Sequence, residues 1–115
     1  MVQLKNDIYR KARGGKAFFV LLFCAKCMTE VLLYQKDGDG QLKRCYLNRI
    51  FEPPELERLQ HDIRLKNLED FPALTCPTCK TVLGMPIRHH DGRIAFRLRQ
   101  GFFAKKRLPS HERRQ

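Results

Sequence analysis

Cys24-Ala25-Lys26-Cys27 and Cys76-Pro77-Thr78-Cys79 are two copies of one spacing, and their reading decides the fold. Zinc takes four soft donors in a tetrahedron, each thiolate at about 2.3 Å, and a CxxC unit on a tight turn delivers two of them from one strand end. Two such turns complete the shell. Because 48 residues separate Cys27 from Cys76, one structural Zn2+ held by Cys24, Cys27, Cys76 and Cys79 would join two distant hairpins. An apolar segment follows each knuckle, Val31-Leu32-Leu33 and Val82-Leu83, as two stacked, equivalent halves require. Four protein ligands leave no open position for water, so such a site stabilises rather than hydrolyses. The fifth cysteine, Cys45, is left over. An odd count argues against the disulfide framework of a secreted domain and for a reducing, cytoplasmic compartment.

Outward from the knuckles the chain reads as short strands. Ala17 to Cys24 is apolar at every position, which fits a strand buried on both faces and leading into the first knuckle. The preceding Lys11, Arg13 and Lys16 give it the look of a secretory signal. It is too short to span a membrane, and Lys26 interrupts it without a small-residue cleavage site. Glu30 to Gln35 and the alternating Gln41 to Phe51 flank Lys36-Asp37-Gly38-Asp39-Gly40, a pattern that predicts a hairpin hinged on Asp-Gly. Pro53-Pro54 followed by Glu55 and Glu57, with Leu56, Leu59 and Ile63 at helical steps, predicts one short helix over 54–62. Ala73 to Thr75 enters the second knuckle and Thr81 to Pro86 leaves it. Asp91-Gly92 then turns the chain into Arg93 to Arg99, where Ile94, Phe96 and Leu98 share one face. The expected fold class is mainly β with one short helix, its antiparallel hairpins joined by the four-cysteine zinc site in a β-tent or zinc-ribbon-like arrangement.

With 115 residues and 13.6 kDa the chain supports one modest core, which excludes a two-domain nucleotide enzyme. The net charge of +11 is unevenly placed. Residues 1–16 carry five basic and one acidic side chain, residues 88–115 nine and two, and residues 17–87 nine of each. The expected organisation is therefore a basic N-terminal arm over 1–16, a zinc-stabilised β domain over 17–107 and a loose basic tail over 108–115. Charge blocks of this kind meet polyanions.

Catalytic templates find no support. The single serine, Ser110, lies in the tail. Asp37-Gly38-Asp39-Gly40 resembles the start of a calcium loop but lacks its third and closing ligands at Gln41 and Asn48. His89, His90 and Asp91 would form a second metal group only if adjacent histidines did not point to opposite faces of a strand, and the plainer reading is a polar approach to the Asp91-Gly92 turn. Cys45 beside Arg44 and Tyr46 is the one candidate nucleophile, and small core filler is the plainer reading. No enzyme is expected. The basic residues read differently: Arg93, Arg97 and Arg99 predict a ridge about 20 Å long, extended by Lys105, Lys106 and Arg107. Lys5, Arg10, Lys11 and Arg13 join it, and Lys43, Arg44 and Arg49 add to it. Tyr9, Tyr46, Phe102 and Phe103 offer stacking faces for unpaired bases. With no basic recognition helix, the expected partner is nucleic acid, RNA in preference to a specific DNA site, and no membrane. The rival expectation is a protein-interaction adaptor whose tails give solubility.

The second knuckle, Cys76-Pro77-Thr78-Cys79-Lys80-Thr81-Val82-Leu83-Gly84, resembles the CxxC-x-x-x-Leu-Gly signature of zinc-anchored β-tent proteins. These include Yippee-like proteins, the thalidomide-binding domain of cereblon and methionine sulfoxide reductase B. A first CxxC about fifty residues upstream, Tyr46-Leu47-Asn48 between the knuckles, and a closing strand around Gly101 and Lys105 are similar to the Yippee arrangement. The resemblance implies the metal ligands and a β-rich fold. Met85 stands where Yippee-like chains carry an aromatic. A chain with no Trp has no three-tryptophan cage, and the absence of Cys after Cys79 argues against reductase activity. The zinc ribbon is the competing family.

Overall fold

A computed structural model describes residues 3–108; the expected tail beyond Leu108, with Ser110 and His111, lies outside the described residues. In chain order the elements are helix α1 (Ile8–Ala12), strands β1 (Ala17–Cys24), β2 (Glu30–Asp37), β3 (Arg44–Tyr46) and β4 (Ile50–Glu52), helix α2 (Pro54–Glu57), and strands β5 (Leu74–Thr75), β6 (Val82–Arg88), β7 (Ile94–Leu98) and β8 (Phe103–Arg107). They build two antiparallel four-stranded sheets, ordered β4-β2-β1-β8 and β3-β7-β6-β5. The first knuckle is the turn of the β1–β2 hairpin and the second the turn of the β5–β6 hairpin, so each sheet contributes one CxxC.

The apolar run of β1 is explained by two cores. Val20 and Leu22, with Leu32 and Tyr34 of β2, pack against Leu74, Leu83, Phe96 and Leu98 of the second sheet, with Leu47 and Ile50 filling the space between. Phe19, Leu21 and Leu33 point the other way and are covered by Leu4 and Leu108. A strand buried on both faces has no polar alternation to show, which is why this segment reads as continuous hydrophobicity. Gly84 of β6 sits where a Cβ would stand 2.9 Å from the Arg97 carbonyl oxygen of β7. Gly84→Ala is expected to cost about 1–3 kcal/mol through overpacking against backbone, lowering the melting temperature by about 4–8 °C for each kcal/mol. An unshifted thermal melt would refute this account of the β6–β7 contact.

One expectation is corrected and two gain detail. The Asp-Gly segment does not hinge a β2–β3 hairpin, because after Gly38 and Gly40 the chain crosses to the second sheet and β3 pairs with β7. Only β4 returns to β2, with Tyr34 opposite Ile50. The buried residues here, Leu42, Cys45 and Leu47, step by three and then two, which bridges layers and does not fit one strand face. The helix expected over 54–62 makes one α-turn, with Pro54 in its first turn beside Glu55 and Glu57, and tightens into a 3-10 segment at Arg58–His61. Leu56 and Leu59 reach the core but Ile63 is exposed, so the apolar period that supports a longer helix stops early. Finally, the N-terminal arm holds a helix of its own, α1, capped by the Asp7 carboxylate accepting from the Tyr9 and Arg10 amides at 3.1 and 3.2 Å.

Candidate metal centre and basic cleft

The two knuckles are the same turn built twice. In the first, the Cys24 amide donates to the Thr29 carbonyl at 2.9 Å and the Met28 amide to the Cys24 carbonyl at 2.7 Å. In the second, Cys76 donates to Thr81 at 2.9 Å and Lys80 to Cys76 at 3.0 Å. Met28 and Lys80, each following the outer cysteine, both take left-handed backbone conformations, at φ 62° and 66°. A side chain in that region is uncommon and costs energy, so its repetition marks a turn fixed by what it holds. Thr29 and Thr81 place their hydroxyls 3.0 and 3.1 Å from the sulfurs of Cys27 and Cys79.

The four sulfurs converge. Cys24 and Cys79 lie 3.5 Å apart, Cys27 and Cys76 lie 3.5 Å apart, and all four atoms fall within 4.8 Å of one another. Four thiolates about 2.3 Å from a tetrahedral zinc stand about 3.8 Å from each other, so spacing and donor chemistry fit a thiophilic divalent ion. Cys24 and Cys76 are buried and Cys27 and Cys79 face outward. Hydrogen bonds from the Thr81 hydroxyl and amide hold the Cys79 thiol down at about 6, which favours the thiolate a metal needs. The CxxC spacing identifies all four residues from sequence. The threonine two places after each outer cysteine is a second repeat that the spacing argument passes over.

A cleft of about 660 Å³ opens between α1, the end of β2, the 38–43 loop, β3 and the 89–93 turn. Five cations line it, Arg13, Lys36, Lys43, Arg44 and Arg93, against two acids, Asp37 and Asp91. Both acids are committed, Asp37 to Arg49 at 2.6 Å and Asp91 to Arg93 at 2.9 Å. Arg93 stacks between Tyr9 and Tyr46, its guanidinium 3.8 and 3.9 Å from the ring centres. Tyr46 in turn meets His89 edge to face at 5.3 Å, and its amide donates to the Tyr34 hydroxyl at 3.0 Å. Lys36 is only 7% exposed, and its ammonium donates to the Gly38 carbonyl at 3.1 Å. Among the described residues it forms no ion pair, since Asp37 is held by Arg49 and Asp39 by Lys16. Burial pushes its pKa down and Arg13 adds repulsion, against a partly offsetting attraction from Asp39 and Asp37. Sequence reasoning missed Lys36 because one lysine at the end of an apolar strand reads as an exposed terminus.

The expected single ridge is divided between the sheets. Arg44 and Arg97 are directly opposite on β3 and β7, both exposed. Arg99 stacks on Phe102 at 3.7 Å and donates to the Val82 carbonyl at 3.0 Å. Lys105, Lys106 and Arg107 lie on β8 at the edge of the other sheet, with Arg107 over Phe18 at 3.9 Å. Lys11 is exposed on α1. Phe103 is half-buried and packs against the core. Arg49 does not join the basic surface: it is fully buried, doubly bonded to Asp7 and singly to Asp37. Lys5 donates to the Asn48 carbonyl at 2.6 Å and Arg10 to the Gly15 carbonyl at 2.7 Å.

His89 and His90 also depart from expectation. Strand β6 ends at Arg88, so the histidines sit in a turn, where their rings lie side by side 4.0 Å apart and not on opposite faces. Among the described residues the metal-ligand cluster is the four cysteines alone. Cys45 is fully buried, and burial pushes its thiol well up, as fits a core position. No helix among the described residues is long and apolar enough to cross a membrane. No protein-family model, no curated protein and no solved structure matches the chain. The likeness to β-tent and zinc-ribbon proteins therefore rests on the four-cysteine cluster and the β-rich fold.

Proposed function

We propose that the protein is a small zinc-stabilised RNA-binding module, with one structural Zn2+ on Cys24, Cys27, Cys76 and Cys79 and single-stranded RNA held on the face of the second sheet. The observation that carries this reading is the Arg44–Arg97 pair. Like charges directly opposite on adjacent strands destabilise a sheet, and neither guanidinium is paired with a carboxylate among the described residues. A phosphate between them turns that repulsion into two charge-assisted contacts. Lys43 lies beside them and Arg99 follows on the same strand end, while Lys105 and Lys106 supply a second, separate basic edge.

The test is a fluorescence-anisotropy titration of labelled single-stranded RNA at two salt concentrations. With about four phosphates contacted, log affinity should fall against log salt with a slope near −3, and Arg97→Gln should weaken binding about tenfold at low salt while reducing the slope by about 0.7. Absence of binding, or binding indifferent to salt, would remove the proposal. The adaptor reading keeps one observation of its own. Met28 and Phe102 are exposed beside the first knuckle, where the Ala25 amide donates to the Phe102 carbonyl at 3.1 Å, and a protein partner could seat there.

A further inference from the structure

We infer that the cleft between α1 and β3 is a binding site for a nucleoside phosphate monoester, with the phosphate on Lys36 and Arg13 and the base against Tyr46. Lys36 and Arg13 converge on Gly38. The Lys36 ammonium donates to its carbonyl, and a Cβ placed on Gly38 would meet the Arg13 side chain and carbonyl at 3.0 to 3.2 Å. Gly38 has φ +78°, a conformation that L side chains rarely adopt, so the close approach of these two cations depends on glycine there. Lys36 is buried as a residue and has no ion pair among the described residues, and a buried cation is costly unless partners satisfy its donors, of which Gly38 takes one.

A phosphate monoester suits that buried cation better than a phosphodiester. It carries about −1.5 to −2 charge and three free acceptor oxygens, and it projects from the end of its molecule, whereas a diester is tethered on both sides. The other half of the cleft is aromatic. Tyr46 is stacked on Arg93, flanked by His89 and pinned through its amide to Tyr34. Aromatic rings of this kind are the usual platforms for an unpaired base, and the Arg93 plane, already held between Tyr9 and Tyr46, fixes the Tyr46 ring in place. A volume of about 660 Å³ lies inside the range of about 300–1,000 Å³ typical of small-ligand sites. The same chemistry is offered by a free nucleotide and by the phosphorylated end of an RNA strand. A free nucleotide would satisfy the proposal even if the protein bound no RNA.

The experiment is an NMR titration of the isotopically labelled, metal-loaded full chain with adenosine 5′-monophosphate and with adenosine. Affinity for the monophosphate should be at least about tenfold higher, with amide shifts centred on Gly38, Gly40 and Tyr46. Arg13→Gln, at an exposed position that keeps the fold, should erase most of that preference, and Lys36→Gln should erase it where a dispersed spectrum shows the variant folded. Equal binding of the two ligands, shifts elsewhere, no binding at millimolar ligand, or an Arg13→Gln variant unchanged would each overturn the site. Four-nucleotide RNAs with and without a 5′-phosphate separate the sources: tighter binding of the phosphorylated strand assigns the strand end, and a preference confined to the monophosphate assigns a free nucleotide. RNA held regardless of its end, with the monophosphate ignored, overturns the cleft and leaves the RNA-binding reading standing. Monophosphate held with all RNA ignored does the reverse.

Discussion

Stripping the metal from the purified protein with a chelator, or replacing Cys76 with Ser, is expected to unfold the domain at room temperature. The two pairs of cysteines come from hairpins in different sheets, one at the end of β1 and the other after β5, so an ion held by all four would cross-link the layers. Structural zinc supplies apparent binding energy of about 10–16 kcal/mol in small peptides, more than the whole margin of about 5–15 kcal/mol that holds an ordinary domain. The inner sulfurs of Cys24 and Cys76 belong to the central core, so losing the ion also leaves four thiols crowded at the seam of that core. Far-UV circular dichroism and amide dispersion should collapse on chelation and return when one equivalent of Zn2+ is added back. Elemental analysis should give one metal per chain. Cys45→Ala is the control: its sulfur is buried on β3 away from the cluster, and the variant should keep its metal and lose only the stability of a small cavity. A metal-free protein with an unchanged melt would show the four-cysteine cluster to be incidental to folding.

The four-cysteine cluster is the part of this molecule most legible in its sequence, because CxxC fixes geometry over four residues and needs no knowledge of the rest of the chain. Strand β1, the β6–β7 hairpin at Asp91-Gly92 and the apolar face of β7 are legible for a related reason, since each depends on a local period or turn. The exchange of β3 into the second sheet is not, because Asp-Gly specifies that the chain turns and says nothing about which layer it turns toward. The cleft is hidden for the same reason. Tyr9, Lys36, Tyr46 and His89 come from four separate segments, and nothing in any one of them marks the others. The basic ridge shows the opposite failure: a charge count correctly finds cations near the C-terminus, yet Gln100-Gly101 carries the chain from one sheet to the other and separates Arg97 from Lys105.

Arg49 gives the second large expected effect. Replacing it with Met should cost about 3–5 kcal/mol, because breaking a buried ion pair from one side leaves its partner charge uncompensated. Here the stranded group is Asp37, whose side chain is 8% exposed and 2.6 Å from the Arg49 Nε. The same arginine holds Asp7 through both terminal nitrogens, so the variant should also release the arm that Gln35 ties at Lys5 and Arg93 ties at Tyr9. Removing residues 1–16 outright would leave Arg49 with Asp37 but take both Asp7 contacts from its buried terminal nitrogens, which makes truncation a test of folding as well as of nucleic-acid contact. The pH dependence separates the partners. The hydrogen bond from Arg49 lowers the Asp7 carboxyl from 3.8 to about 2, so its contribution is fully present above about pH 4 and is lost as pH falls through about 2. Asp7→Asn should therefore lower stability at neutral pH by less than Arg49→Met, because Asp7 is partly exposed and solvent screens it, and its stability difference from the native protein should shrink steadily between about pH 4 and about pH 2. A difference that stays constant over that range would show that the Asp7 carboxylate is not the acid-sensitive partner of Arg49.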